Sequence, residues 1–268
     1  MRVTRLRVYP VKSLAGEDVA GAWVNPWGLE QDRRWGLVGR KGEKLTAREH
    51  TQLLGLTARS LAENVVRLAD RDGGVIDVDM REGGEIIAVD HSRQGSAVAA
   101  GSDVSRWLSD RLGFRVRLVW QPDPLLRPIA AQEGGQPGDV MSLADAAPLL
   151  LITESSMRQL DDWADSGAQP LDPVRFRPNV VIDGGEPFVE EGWTSVHING
   201  VPFRVTMICD RCSMTTLDPV TLARGREPIR TLAAHRRREN KTWFGLRLTP
   251  LGRGRIHVGD HVEPSLSA

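Results

Sequence analysis

The sequence predicts a mainly β protein with a few flanking helices, arranged as two β-rich domains. Three observations carry this. Short runs in which apolar and polar residues alternate recur along the chain, as strands with one buried face require. Gly, Asp and Asn fill the gaps between many of these runs, in GRKGEK, DRDGG and REGGE, and such clusters are hairpin signals. One segment from Gln121 to Asp139, QPDPLLRPIAAQEGGQPGD, is rich in Pro and Gly and has no period, so it reads as a long loop or a linker. The expected layout is a first domain over residues 1–120, a linker over 121–137 and a second domain over 138–265.

In the first domain the expected strands are VTRLRVYPV, GAWVN, RWGLVGR, KLTAR, NVVRLAD, VIDVDM, EIIAVD and FRVRLVW. One helix interrupts them, with Ser102 as N-cap and Val104, Trp107, Leu108 and Leu112 on one face, where Trp107 belongs to the core. After the linker a second helix is capped by Thr153 and carries an apolar stripe of Met157, Leu160 and Trp163 or Ala164. Strands resume in PNVVIDGG, SVHING, PFRVTMI, FGLRLTPL and GRIHVGDHVEP, at a spacing that suits small closed barrels. Only Ser265 to Ala268 follow, and no further domain is expected there.

Composition sets limits on function. The 268 residues suffice for two modest domains with a substantial core. With 35 Lys plus Arg against 35 Asp plus Glu, no net field draws the chain to nucleic acid or to an anionic membrane, so any anion site must come from local clusters. The longest apolar run, Ala146 to Ile152, is far short of a membrane span, and MRVTRLRVYP lacks a signal-peptide core. A soluble, cytoplasmic protein is expected.

The only two cysteines, Cys209 and Cys212, lie in VPFRVTMICDRCSMTT. Val201, Phe203, Val205 and Met207 alternate with Pro202, Arg204, Thr206 and Ile208, a near period of two that predicts a strand ending near the thiols and places Cys212 at a strand-to-loop junction. A structural zinc site needs two further ligands at finger spacing, and none follows. A thioredoxin-like dithiol precedes a helix, whereas SMTTLDPVTLARG does not read as one. Two readings stay open: small buried hydrophobes, above all for Cys209, and a single soft thiolate ligating a transition metal whose other ligands belong to a cofactor. Polar groups at turns are candidate anchors for such a cofactor: Lys12 and Ser13, Asp32 and Arg33, Thr46 and Arg48, and Arg175, Arg177 and Asn179. Lys supplies a point charge and Arg a planar fork, both suited to a phosphate. No P-loop or GxGxxG competes for a nucleotide.

Taken in order, YPVKS (9–13), DRRW (32–35), LTAR (45–48), FRPN (176–179), CDRCSMTTLDP (209–219) and EPIRTL (227–232) resemble the MOSC family. More closely they resemble the group with an N-terminal MOSC β-barrel domain, which includes the mitochondrial amidoxime-reducing component and its bacterial relatives. The resemblance implies a β-barrel MOSC fold with a cofactor cleft between the two domains, and an enzyme that carries molybdenum–molybdopterin. It maps the metal-ligating, catalytic thiolate onto Cys212 and the cofactor anchors onto Lys12, Ser13, Arg33, Arg48, Arg177, Asn179, Asp210 and Arg211. The chain departs from the family at Ala144, Asp145, Ala146 and Ala147, where hydroxyl donors are missing and only Asp145 carries over, and at Leu246, where the family has a polar residue. Asp145 equally suits a turn that precedes a helix.

What the resemblance implies is reduction of N-hydroxylated small molecules. The alternative is a carrier of the cofactor, or of sulfur for it, without turnover; a cofactor-free binding module is a third class. Two cysteines cannot hold a plant-type iron–sulfur cluster, and no dinucleotide fingerprint is present, so electrons are expected from a separate ferredoxin or cytochrome b5-type protein with its reductase.

Overall fold

The two largest apolar cores, one under the largest sheet and one under two smaller sheets, position the site. The structure, a computed structural model, describes residues 1–80, 83–91, 93–164 and 170–266. It is mainly β. The largest sheet has nine strands, and its main path runs Val262–Leu266, Trp193–Ile198, Val201–Asp210, Lys241–Pro250, Leu149–Thr153, Val180–Ile182, Val3–Val8, Glu17–Val19, with Arg237–Arg238 paired to Lys241–Pro250. Within this sheet Leu149–Thr153 and Val180–Ile182 run parallel, and the other pairs are antiparallel.

Leu149–Thr153 is buried at every position, because both faces of the sheet are covered there. Leu149 and Leu151 join the core under Leu6, Phe203 and Leu248. Leu150 and Ile152 point the other way, to Met157 and Leu160 of helix Glu154–Trp163 and to Leu232 of helix Ile229–His235. A strand buried on both faces shows no alternation, and this one was visible in the sequence only as a short apolar run.

The other core gathers Leu14, Trp35, Leu37, Leu53, Leu68, Leu108 and Leu118 beneath two smaller antiparallel sheets. Four strands order as Trp35–Val38, Arg117–Trp120, Gln94–Ala99, Glu85–His91, and three as Thr57–Ala62, Val65–Ala69, Val75–Asp79. Sheet membership crosses residue 120: Val3–Val8 pairs with Val180–Ile182, while Gly21–Asn25 pairs with Gly254–His257. The chain leaves the large sheet after Val8 and enters the second core at Val11 and Leu14, so YPVKS lies between the cores. It crosses again after Cys212, where Leu217 inserts into the same second core.

Local expectations met the structure unevenly. Thr153 caps its helix, accepting a hydrogen bond from Ser156 N at 3.1 Å. Ser102 does not cap: Gly101 holds the N-cap position, and Ser102 is the first residue of helix Ser102–Leu112. Gly needs no side-chain acceptor to be tolerated as an N-cap. KLTAR forms no strand. Lys44 makes a single bridge to Val38, and Thr46 then starts a turn, donating Oγ1–H to Glu49 Oε2 at 3.0 Å. SMTT closes one 3-10 turn, Ser213–Thr216, and helix Ile229–His235 occupies a stretch with no helical signal. Arg81 and Glu82 of the REGGE signal lie outside the described residues. No helix among the described residues is long and apolar enough to cross a membrane.

Candidate functional site

Between the cores lies a cavity of about 300 Å³, at the small end of ligand pockets (roughly 300–1,000 Å³). The structure brings to its wall the ten residues picked out by the resemblance, Lys12, Ser13, Arg33, Arg48, Asp145, Arg177, Asn179, Asp210, Arg211 and Cys212, and of the other candidate anchors Thr46 and Arg175, but not Asp32. They arrive from crossings and strand ends. Lys12 and Ser13 lie on the first crossing, Arg177 ends the 3-10 turn Pro173–Phe176, and Cys212 caps the turn that begins the second crossing.

The backbone is bent to present them. Ser13 (φ 72°), Arg33 (φ 51°) and Arg177 (φ 57°) all hold left-handed conformations, each of which costs a non-glycine residue of order 1 kcal/mol. What holds the arginines is Tyr9. Its buried ring lies under both guanidinium groups, 4.6 Å from that of Arg33 and 4.1 Å from that of Arg177. Arg33 also pairs with fully buried Asp32 at 2.5 Å and donates to Asn179 Oδ1 at 3.1 Å. Burial works against the Arg33 charge, but Asp32, Tyr9 and Asp145 together outweigh it, so its pKa is raised. Arg177 donates Nη1–H to Leu14 O at 2.9 Å, while its Nη2 is buried without a hydrogen-bond partner. Burial pushes Arg177 down to about 10, with Arg33 pushing the same way, which still leaves it charged at neutral pH.

Lys12 is buried and donates to Leu143 O at 2.7 Å and to Asp145. Burial lowers its pKa, and Asp145 opposes that shift. The Asp145 side chain is 65% exposed to the open cavity, and Lys12, followed by Arg48 and Arg33, holds its carboxyl well below the usual carboxylate range. Asp145 precedes strand Leu149–Thr153, not a helix, which removes the helix-entry reading of that position.

A pH signature follows. A depressed carboxylate pKa contributes stability that is present above the unfolded value, about 4, and is lost as pH falls through the lower folded value. Metal-free Asp145→Asn is expected to melt below the metal-free wild type at pH 7. The gap should hold down to about pH 4 and then narrow with further acidification. A gap independent of pH would remove the ion pair as its cause.

The two thiols differ. Cys212 is exposed, with Arg48 Nη1 3.8 Å from its sulfur. Cys209 is half-buried near the end of strand Val201–Asp210, where Arg211 donates Nη1–H to its sulfur at 2.9 Å and Nη2–H to Phe176 O at 2.8 Å. Among the described residues no group of three or more His, Cys, Asp and Glu could hold a metal ion.

Several candidates are already engaged by the protein. Asn179 is buried, accepts from Arg33 and Leu150 N, and donates to Arg7 O, so it reaches the cavity through Arg33. Asp210 pairs with Arg247 and lies 3.4 Å from Lys241 Nζ. Arg175, a further cation of the wall, pairs with Asp218. Sequence reasoning missed Tyr9, Glu133 and Arg247 as parts of the site. Glu133 comes from the expected linker and pairs with Arg247 at the cavity wall, a contact with no local sequence signal. Tyr9 could have been suspected as the aromatic residue that opens YPVKS.

Comparison with known proteins bears on this arrangement. The family model of the MOSC domain matches residues 138–263, and that of the MOSC N-terminal beta barrel domain matches residues 1–115. The chain is 31% identical to a molybdenum cofactor sulfurase of Danio rerio over 99% of its own length and 34% of the sulfurase. It is 27% identical to mitochondrial amidoxime-reducing component 1 of Mus musculus, covering 87% of this chain and 71% of that protein, and equally so to the Homo sapiens protein, covering 97% and 82%. The chain spans about a third of the length of the sulfurases it matches. It belongs to the MOSC family, as a MOSC domain protein with a MOSC N-terminal β-barrel domain, and its relatives are molybdenum cofactor-associated enzymes.

Proposed function

We propose that this chain holds a molybdenum–molybdopterin cofactor in the cavity and reduces N-hydroxylated small molecules such as amidoximes, hydroxylamines and N-hydroxylated bases. One observation carries the reading: an exposed thiol and a wall of buried and half-buried cations share a single cavity, and four of those cations, Arg175, Arg177, Arg211 and Arg247, each keep a buried donor with no partner. A phosphate takes several directed, charge-assisted donors, and the orphaned Nη2 of Arg177 is such a donor, so the residues present fit the group.

In this reading Cys212 supplies the thiolate that ligates the metal, as suits a soft ligand. Lys12, Ser13, Arg33 and Arg177 hold the phosphate and pterin, with Asn179 positioning Arg33, and Arg48, Arg211, Asp145 and Asp210 complete the wall. When bound, the cofactor supplies two-electron chemistry at the substrate's N–O bond. The overall change breaks that bond and releases the oxygen as water, consuming two electrons and two protons. The two cysteines are too few for a plant-type iron–sulfur cluster, a separate electron-transfer protein is the proposed donor, and the cytoplasm is the proposed setting.

A second reading is favoured by similarity to sulfurases over nearly the whole chain: a module that carries the cofactor, or sulfur for it, without turnover. Assay of cofactor-loaded protein separates the two. Reduced viologen is expected to drive reduction of a hydroxylamine substrate, and NADH alone is not. Molybdenum near one per chain with no turnover on viologen would favour the carrier, and turnover on NADH alone in reductase-free protein would overturn the need for a partner.

A further inference from the structure

Beside the cavity, a run of basic residues extends from Arg224 to Lys241. Six arginines and Lys241 stand in this stretch against two acidic residues, Glu227 and Glu239, in a chain whose 35 basic and 35 acidic residues cancel as a whole. All but Arg236 are exposed. Glu191 takes up Arg236 and, at 3.2 Å, Arg238, and Glu227 takes up Arg230 at 2.5 Å. Arg224, Arg226 and Arg237 make no ion pair among the described residues. Arg224 donates to a backbone carbonyl and Arg237 to Asn240 Oδ1 at 3.1 Å, so their charge is spent on neutral partners.

The placement of this surface gives it meaning. Arg224 Nη2 donates to Arg48 O at 2.6 Å, and Lys241 Nζ lies 3.4 Å from Asp210, so both ends of the stretch abut residues of the cavity wall. Between them, helix Ile229–His235 packs on the turn Ser213–Thr216 that follows Cys212. Arg237 and Arg238 pair in register with Thr242 and Lys241, and Thr242 O accepts from Arg211 N at 2.8 Å. The basic surface therefore rims the cavity on the side of the thiols.

We infer that this rim docks a small acidic electron-carrier protein. The inference rests on the reductase reading, which needs two electrons per turnover delivered one at a time: two carrier molecules are each oxidised by one electron, and the N–O bond is reduced as written above. A fixed basic patch beside the entrance steers such a carrier and sets its orientation, and rim charges act chiefly on the rate and salt dependence of association. A single-stranded nucleic acid fits less well, because binding it calls for open aromatic platforms. Trp243, the aromatic residue of this rim, is half-buried, with its indole N–H donated to Arg238 O at 3.1 Å and Lys241 over its ring at 5.7 Å.

The test uses two acidic probes, a plant-type ferredoxin and a soluble cytochrome b5, against wild-type protein and the double variant Arg226→Glu/Arg237→Glu. Neither residue belongs to the cavity wall. Binding measured at low ionic strength is expected for at least one probe. It should weaken by at least about tenfold in the variant and fall with added salt, while turnover with reduced viologen stays at the wild-type level. The milder pair Arg226→Gln/Arg237→Gln should lie between, which guards against misfolding of the charge reversal. Equal binding by wild type and variant, binding of neither probe, or tighter binding of a single-stranded RNA than of either protein would overturn the inference. Binding is read without turnover, so wild-type protein that fails on viologen counts against the reductase reading alone.

Discussion

Replacing Cys212 by Ala is expected to abolish molybdenum retention and, with it, activity, whereas Cys209→Ala should keep most of both. The structure separates the thiols on physical grounds. Cys212 is exposed at the start of the turn Ser213–Thr216 and has only a distant guanidinium for a neighbour, 3.8 Å away, so its sulfur is free to take a ligand bond. Cys209 is half-buried against the Phe176 and Phe244 core, and Arg211 holds its sulfur at 2.9 Å. With two cysteines in the chain, no other thiol can replace Cys212. Metal content of the two variants, purified side by side, checks this. Equal loss in both would mean a dithiol site, and unchanged content in Cys212→Ala would remove the thiolate from the account.

Arg33→Ala is expected to destabilise the metal-free protein, and Arg177→Ala to lower cofactor occupancy with a much smaller effect on the metal-free fold. Both guanidinium groups lie on Tyr9 and both line the cavity, but their debts to the fold differ. Arg33 is the cation that compensates Asp32, whose side chain is 1% exposed, and removing one partner of a buried pair costs about 3 kcal/mol or more. Tyr9 N also donates to Asp32 at 2.8 Å, so the orphaned carboxylate would keep one partner. For a chain of this size the loss corresponds to a melting point lower by roughly 6–12 °C. Arg177 instead carries an unpaired buried donor, so truncating it removes a desolvation cost from the metal-free form. It would also forfeit a charge-assisted contact to the bound phosphate, worth about 1.5–3 kcal/mol. Thermal melts of the metal-free variants decide the matter. If Asp32→Asn does not recover much of the loss in Arg33→Ala, the pair is not its cause. If Arg177→Ala melts as low as Arg33→Ala, the arginines are jointly structural.

Much of this site was legible in the sequence because it is built from short motifs at turns. Lys12 and Ser13, Arg33, Arg177 and the Cys209–Cys212 segment each sit where a periodic run stops, and a run that stops is a local signal. Their convergence was not local. It depends on the chain leaving the large sheet after Val8 and returning to the other core at Leu217, and on strands from the first 29 residues pairing with partners more than 170 residues away. Nothing in the period of VTRLRV or GAWVN names those partners. Glu133 was hidden for a related reason: the segment that carries it has no period and reads as a tether. Its side chains nonetheless pin it to the sheet through Arg204, which donates to Gln136 Oε1 at 2.6 Å and pairs with Asp139 at 2.5 Å. Leu149–Thr153 was missed because burial on both faces erases the alternation by which strands are read.

The claim that one thiolate and a cationic wall hold a molybdenum cofactor is tested most directly by metal and pterin analysis of the full chain, freshly purified without oxygen from molybdenum-replete cells. The account predicts molybdenum and pterin together, each approaching one per chain, both lost in Cys212→Ala and both reduced in Arg177→Ala. Protein with neither molybdenum nor pterin, or with zinc that depends equally on Cys209 and Cys212, would contradict it.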